Sequence, residues 1–255
     1  MNNMKDLTVI IPIQTLNDST VYQLFLRAVK SVGEETDIVV VGNAEAIGSI
    51  GENVKVEKMI NSGDTSYASQ VNFAAKTVKT KYFAVLEFDD EFTPIWFKNA
   101  EEYITNDTDN CVGYLPLTEI VDYTTKKIIG YANEAFWASS FSEKIGELDL
   151  NSMEDYLNFN TSGAIFNREA FLSLGGLKAS MKIVFWYEFL LRALYKEKKI
   201  IVIPKVGYYH NVNRDNSLTS EYAKTISEKE ADWWYDTAKK EYFFPQDRNK
   251  VYEEE

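Results

Sequence analysis

The N-terminal part of the chain combines two apolar runs with an amphipathic segment between them. Leu7–Ile13 is continuously apolar, which predicts a buried strand. Asn17–Val32 has its apolar residues at helical spacing, with Asp18 or Ser19 as the N-cap. The β-branched run Asp37–Val41 follows at once. This succession predicts a βαβ unit, with two parallel strands and a right-handed crossover.

Polar residues follow both of these strands. The carboxyl ends of parallel strands meet at one edge of the sheet, and open α/β sheets bind their ligands at that edge. The residues expected there are Gln14, Thr15 and Asn17 after the first strand, and Gly42 and Asn43 after the second.

A further helix and strand follow. Asn53–Met59 alternates and predicts a short edge strand. Ser66–Lys79 has one apolar helical face, with Asp64 or Thr65 as its cap. Tyr82–Phe88 is apolar except for Glu87, which predicts a central strand covered on both faces of the sheet.

The predicted central strand ends in a cluster of carboxylates. Glu87, Asp89, Asp90 and Glu91 lie at its C-terminal end. Such a cluster repels itself unless a cation or a metal–polyphosphate complex balances the charge, so an ion site is expected at this edge. The alternative is a solvated turn after a buried strand.

The order of these elements resembles a family-2 glycosyltransferase of the GT-A fold. The matching residues are Pro12 at the end of the first strand, Asn72 in the helix, and Glu87-Phe88-Asp89 followed by Asp90 as a DxD-type motif. The resemblance implies an α/β fold, with a Rossmann-like mixed sheet and helices on both faces. It also implies transfer of a sugar, with inversion, from a nucleotide-diphosphate donor, by default a UDP-sugar, to a hydroxyl acceptor with the aid of Mn²⁺ or Mg²⁺.

The resemblance also assigns candidate roles to individual residues. A late Tyr-Tyr-His segment resembles the loop of the family that closes over the diphosphate. The implied metal ligands are Glu87, Asp89, Asp90 and His210. The implied nucleotide-binding residues are Pro12, Gln14, Thr15, Asn43, Asn72 and Arg214. Two departures concern the base: Gly42 stands where the family carries an acid, and Val71 where it often carries Arg.

A second match lies in the segment Asn160–Lys178, where a strand leads through an Asn/Arg pair into a short helix that ends at Gly175-Gly176. The family then shows an acidic pair a few residues before an Arg. Here Phe185 and Trp186 occupy the places of that pair.

Glu188 is the first acid after the double glycine, so it is the candidate general base for the acceptor hydroxyl. Its spacing to Arg192 is i to i+4, so an ordinary ion pair within the helix is the alternative.

Other elements are predicted by pattern. They are a helix from Thr93-Pro94 to Ile104, two strands over Cys111–Pro116 and Glu119–Tyr123 paired across Leu117-Thr118, a sheet extension over Lys126–Tyr131, a strand over Lys199–Pro204, a helix over Thr219–Tyr242 and a disordered end at Glu253–Glu255. The aromatic region Asn133–Asn160 is expected to build the acceptor side. Within it, Trp137 serves either as a core residue or as a platform for a sugar ring.

Length and charge narrow the class of protein. The 255 residues fit one catalytic domain over 1–218, with a nucleotide-binding half up to about 110 and an acceptor half from 111, and a helical extension over 219–255. The net charge of −12 opposes an extended nucleic-acid surface. A single cysteine excludes an intrachain disulfide and fits a cytoplasmic protein. No apolar window approaches the roughly 18 residues of a membrane span.

Three other classes compete with a glycosyltransferase. A P-loop phosphohydrolase is excluded because the chain has no G-x-x-x-x-G-K-[ST] loop. A nucleotidyltransferase of related fold normally carries a Gly-rich basic loop after the first strand, unlike Gln14-Thr15-Leu16-Asn17. A glycosyltransferase-like binding module that has lost its base is favoured by Trp186 and opposed by the intact Asp89-Asp90 pair and His210.

Overall fold

The structure is a computed structural model that describes Met4 and residues 6–16, 18–107, 109–142, 144–214, 217 and 224–243. Within these ranges no helix is both long enough and apolar enough to cross a membrane. The predictions for Asn17 and for the acidic end at 253–255 lie outside the described residues.

The first half of the sheet contains four parallel strands in the order β3-β2-β1-β4. They are β1 (Leu7–Pro12), β2 (Asp37–Gly42), β3 (Glu57–Ile60) and β4 (Tyr82–Val85). Residues of β1 and β4 are buried throughout, because helices cover both faces of the sheet. The predicted parallel pair of β1 and β2 is confirmed. The predicted strands over Asn53–Met59 and Tyr82–Phe88 are shorter than expected.

Three helices connect these strands. They are α1 (Ser19–Val32), α2 (Ala44–Gly48) and α3 (Tyr67–Thr77). Asp18 caps α1 by accepting from the backbone N–H of Thr20 and Val21, which confirms one of the two predicted caps. Ser66 caps α3 instead of Asp64 or Thr65, so that prediction was wrong.

The second half of the sheet adds strands in the order β8-β6-β9-β5 beyond β4. These four are β5 (Glu91–Phe92), β6 (Gly113–Asp122), β8 (Ile165–Asn167) and β9 (Ile200–Val212), and a fifth strand, β7 (Ile128–Ala132), pairs only with β6. β8 runs antiparallel to β4, whereas β9 runs parallel to β6. β8 and β7 pair with different parts of the long strand β6.

The predicted hairpin across Leu117-Thr118 is wrong, because β6 runs through these residues without a turn. Pro116 lies inside this strand and cannot donate to the ladder. The register between β6 and β9 shifts on either side of Leu117, so the strand accommodates the proline by an irregularity and continues.

Further helices among the described residues are α4 (Trp96–Thr105), α5 (Arg168–Ser173), α6 (Phe185–Tyr195) and α7 (Glu228–Phe243), with a 3₁₀ helix at Glu134–Trp137. Pro94 precedes α4 and does not begin it, contrary to the prediction. α7 begins inside the predicted helix Thr219–Tyr242, ends one residue beyond it and packs against α6.

Trp137 is partly exposed, and its indole N–H donates to the backbone carbonyl of Val202 at 3.1 Å. Its neighbours Phe136, Phe141 and Tyr156 form a cluster of edge-to-face rings. This aromatic region is therefore continuous with the main hydrophobic core, and the indole N–H fastens Trp137 to β9.

Candidate functional site

The candidate site lies where the direction of strand order reverses. From β1 the chain moves outward through β2 and β3, and β4 then returns to the other side of β1. The crevice at the carboxyl ends of β1 and β4 is the topological switch point, where open α/β sheets bind ligands. Gln14 and Thr15 follow β1 there, and Glu87, Asp89 and Asp90 follow β4.

Asp90 is the buried carboxylate of the cluster, with 1% of its surface exposed. Its Oδ1 accepts the backbone N–H of Asn211 at 2.7 Å, and its Oδ2 lies 2.9 Å from Nδ1 of His210. Burial would lower the pKa of His210, but the negative charge of Asp90 and its hydrogen bond raise that pKa to about 9. At neutral pH the two residues form an ion pair.

Asp89 is paired with Arg214. Its Oδ2 accepts from Nε of Arg214 at 2.9 Å and from Nη2 at 2.8 Å, and the guanidinium lies over the ring of Phe88. Burial and the neighbouring charge of Asp90 raise the pKa of Asp89, and Arg214 opposes this shift. The amide of Asn211 donates to the Asp89 backbone carbonyl at 2.7 Å. The end of β9 is thereby fastened to the acid cluster.

Glu87 faces the other wall of the crevice. Its Oε1 accepts from the hydroxyl of Tyr67 at 2.5 Å and from that of Ser162 at 3.4 Å. Its backbone N–H donates to the hydroxyl of Tyr208 at 3.1 Å. Burial, with the charges of Asp90 and Asp89, raises the pKa of Glu87 to about 8 against the opposing hydrogen bond from Tyr67. Glu87 is therefore mostly protonated at neutral pH.

The side chains of Asn43 and Asn72 have structural partners. Asn43 caps α2 by accepting the N–H of Ala46 at 2.8 Å. Asn72 donates to the carbonyl of Leu177 at 2.7 Å and accepts its N–H at 2.8 Å. This pair uses both ends of the Asn72 amide to hold the turn after α5. A role for either side chain in nucleotide binding stays a prediction.

The other predicted nucleotide-binding residues lie at the edge of the crevice. Pro12 is the buried last residue of β1. Gln14 is exposed and donates to the carbonyl of Thr65 at 2.9 Å, and Thr15 is exposed beside it. Gly42 is small for a steric reason, since a Cβ there would lie 2.9 Å from both Cγ1 and the carbonyl oxygen of Ile13.

Glu188 lies in a fully buried ion-pair network and not in an open crevice. One oxygen of its carboxylate accepts from Nη2 of Arg192 at 2.8 Å. The other lies 2.9 Å from Nζ of Lys178 and accepts the hydroxyl of Tyr242 on α7. Both oxygens are thus engaged by protein groups. These contacts favour the ion-pair role of Glu188 over that of a general base, which needs an oxygen free for the acceptor hydroxyl.

The residues in the place of the acidic pair belong to the core. Phe185 stacks on Tyr67 with 5.2 Å between ring centroids, and Trp186 stacks on Phe166 at 5.0 Å. The two rings form an apolar wall behind the Tyr67–Glu87 contact.

Solved structures of S. aureus TarS have a similar fold. TarS 1–349 in complex with UDP-GlcNAc has 17% identity and a TM-score of 0.59, over 84% of this chain and 61% of that chain. TarS 1–349 in complex with UDP has 14% identity and a TM-score of 0.58, over 81% of this chain and 60% of that chain. Neither a protein-family model nor a curated protein matches the sequence.

These TarS structures match the mixed sheet and the helices described above. This chain has the GT-A fold. The predicted fold class is confirmed, whereas membership of family 2 stays a prediction. The chain spans about 60% of the length of these two TarS chains.

Whether a divalent cation could bind in this crevice depends on the ligand atoms that its side chains offer. Among the described residues, no three His, Cys, Asp or Glu side chains are grouped to hold a metal. Mg²⁺ and Mn²⁺ at phosphate sites commonly use only one or two carboxylates, with phosphate oxygens completing the shell. Asp90 uses both its oxygens within the protein and orients His210 through Nδ1, so Nε2 is the ring nitrogen left for a ligand. Of the predicted ligands, Asp89 and His210 are the two that could each offer a donor atom to a cation, with Asp90 behind them.

Several residues of the site were missed by sequence reasoning. Tyr67 and Tyr208 bond to Glu87, and Asn211 bonds to both aspartates. Tyr67 was assigned to the apolar face of its helix, because periodicity does not separate a ring from its hydroxyl. The polar character of Asn211, next to His210, was the one available signal.

Proposed function

We propose that this protein is a nucleotide-sugar glycosyltransferase that moves a sugar from a UDP-sugar to a hydroxyl group of a carbohydrate or similar acceptor. The observation that carries the proposal is the paired cluster at the switch point, Asp89 with Arg214 and Asp90 with His210. Such a cluster holds both signs of charge where a diphosphate would bind. The bound UDP and UDP-GlcNAc in the TarS structures support a nucleotide-sugar donor.

We further propose that Mn²⁺ or Mg²⁺ assists the reaction, held by Asp89 and His210. When bound, the cation would offset the negative charge of the departing diphosphate. Arg214 would supply a second positive charge beside it, and Asp90 would keep His210 in a fixed orientation. We also propose that the reaction inverts the configuration at the anomeric carbon. The protein is proposed to be cytoplasmic, a location that its single cysteine fits.

Calorimetric titration with UDP, with and without Mn²⁺, tests this function. We expect binding to the wild-type protein that strengthens with the cation. Asp89→Asn is expected to abolish the effect of the cation while circular dichroism shows an intact fold. Asp155→Asn, a change at a carboxylate that is 96% exposed, is the matched control and should bind like the wild type. Unchanged cation dependence in Asp89→Asn would contradict the role of Asp89 as a metal ligand. Tighter binding of GDP or dTDP than of UDP would contradict the choice of a UDP-sugar as donor.

A second candidate is a binding module that holds nucleotide sugars without transferring them. Phe185 and Trp186 favour it, because aromatic core residues fill the place of the acidic pair, and Glu188 is occupied by Arg192 and Lys178. Donor hydrolysis separates the two candidates. Slow release of the sugar from a bound donor supports the enzyme, and a bound donor that stays intact over many hours supports the module.

A further inference from the structure

Gly130 lies in the middle of β7, at a position whose geometry does not require a glycine. Its φ is outside the left-handed region, and a Cβ there would meet Cδ1 of Ile120 at the ordinary contact distance of 3.7 Å, with nothing closer among the described residues. Glycine weakens the interior of a strand, because it has no side chain to pack and loses more backbone entropy on folding. In such a position glycine often marks a place where a ligand approaches the backbone closely. The neighbours of Gly130 on the same face of the sheet indicate which ligand that is.

Gly130, Ile120 and His210 form one row across the sheet. Ile120 pairs with Gly130 on β7 and with His210 on β9. Residues that pair across neighbouring strands lie on the same face, so the row shares the face on which the imidazole of His210 contacts Asp90. Neighbouring strands are about 4.8 Å apart, so Gly130 lies about 10 Å from His210 along this row. The row therefore leads away from the acid cluster.

This row is also where the buried face of the sheet becomes open. The next row toward the core on the same face consists of Ala132, Thr118 and Tyr208, and each of them has at most 3% of its surface exposed. All three members of the row that contains Gly130 are partly exposed. Gly130 and Ile120 thus form an apolar shelf, without a side chain at its outer position, that begins beside the imidazole.

Polar groups border the shelf. Asn158 donates to the backbone carbonyl of Tyr131, next to Gly130, at 3.3 Å. The hydroxyl of Ser162 donates to Glu87 at 3.4 Å, so the segment from 158 to 162 runs from β7 to the acid cluster. Asn158 is exposed and Ser162 is partly exposed. A flat apolar surface with a few polar groups at its border suits a sugar ring, because the faces of the ring carry C–H groups and its rim carries hydroxyls.

We propose that the shelf of Gly130 and Ile120 is the acceptor subsite, where a sugar ring of the acceptor lies beside His210. The inference rests on the proposed function, in which His210 helps to hold the cation at the diphosphate. The strands β2 and β1, on which a nucleoside would lie, are separated from β6 by β4 and β8. The shelf extends from His210 in the other direction, so the nucleotide and the acceptor occupy opposite sides of the acid cluster. The donor sugar then lies between them.

The test follows the imidazole signal of His210 by NMR while methyl glycosides are added to the protein with UDP and Mg²⁺. The probes are the methyl glycosides of glucose, galactose and N-acetylglucosamine. We expect at least one of them to shift the signal of the wild-type protein saturably. Gly130→Val fills the shelf with a side chain that strands favour, so the melting temperature should stay equal or rise. The affinity for the same glycoside should fall at least about tenfold.

Tyr131→Val is the matched control, because it places the same side chain on the opposite face of β7, and it should keep the wild-type affinity for the glycoside. Calorimetry with UDP and Mg²⁺ separates the inference from the function on which it rests. If the wild-type protein does not bind UDP, the proposed function and the acceptor subsite both fail. If it binds UDP and no glycoside shifts the His210 signal, only the acceptor subsite fails, and this result needs no variant. An unchanged glycoside affinity in Gly130→Val, or an equal loss in both valine variants, would likewise overturn the subsite.

Discussion

The Nδ1 atom of His210 lies 2.9 Å from Oδ2 of Asp90, and this contact holds the end of β9 against the end of β4. His210 is the only histidine of the chain, so its imidazole can be followed by NMR without assignment. In metal-free protein we expect the pKa of His210 near 9. Asp90→Asn removes the carboxylate while burial remains, so this pKa should fall from about 9 toward its ordinary value of 6.5.

The same pair predicts how stability depends on pH. The pKa of His210 is higher in the folded state than in the unfolded state, so its protonated form stabilises the fold. This contribution is fully present below about pH 6.5 and is lost as the pH rises through 9. Urea unfolding at several pH values should show the loss in the wild-type protein and not in Asp90→Asn. A His210 pKa that Asp90→Asn leaves unchanged would contradict both expectations.

The pair of Asp89 and Arg214 should be strongly coupled, because Arg214 is buried and the side chain of Asp89 is only 14% exposed. Arg214→Gln is expected to reduce the free energy of unfolding by about 2–3 kcal/mol, as it leaves Asp89 without its cation. Asp89→Asn should cost a similar amount. The double variant should cost less than the sum of the two by at least about 1 kcal/mol, measured by urea unfolding. Additive losses would show that the two side chains do not depend on each other.

Glu188 is expected to act on stability. Glu188→Gln removes the charge that Arg192 and Lys178 share and should cost about 3 kcal/mol in the free energy of unfolding. Glu241→Gln, on the more exposed side of Lys178, should cost less than about 1 kcal/mol. Donor turnover in Glu188→Gln should match the wild type below its melting temperature. A loss of turnover of about 100-fold with unchanged stability would instead identify Glu188 as the base.

Gly176 should tolerate no side chain. Its φ is +69°, and a Cβ there would lie 2.5 Å from Oδ1 of Asn72, the atom that accepts the N–H of Leu177. We expect Gly176→Ala to lower the free energy of unfolding by about 2 kcal/mol through backbone strain and loss of this bond. Gly48→Ala, at the end of α2 where a Cβ would meet nothing within 4 Å, is the control and should be neutral or slightly stabilising. Thermal melts of both variants check the difference.

The elements that could be predicted from sequence are those whose pattern is local. The apolar run of β1, the helical period of α1 and its cap at Asp18 all depend on neighbouring residues. The contacts that define the roles of Asn72 and Glu188 join residues far apart in the chain, 105 positions for Asn72 and Leu177 and 54 for Glu188 and Tyr242. Each was therefore assigned a role from its motif, whereas its partner depends on tertiary packing.

The acid cluster, too, has features that local sequence predicts and contacts that depend on tertiary packing. Its existence and its place at a strand end follow from the buried run before it, and the resemblance supplied His210 and Arg214. Which cation pairs with which carboxylate depends on how β9 lies beside β5, where Tyr209 pairs with Glu91. No pattern in either segment specifies that register.

The place of β4 in the sheet has a consequence for how the chain folds as it is synthesised. One side of β4 pairs with β1, some 75 residues earlier, and the other with β8, more than 80 residues later. While the ribosome makes the residues between β4 and β8, the strand that precedes the acid cluster has an unpaired apolar edge, which invites pairing with other chains. We expect a truncated chain that ends before β8 to aggregate, and refolding of the full chain to be slow because its central pairing joins distant segments.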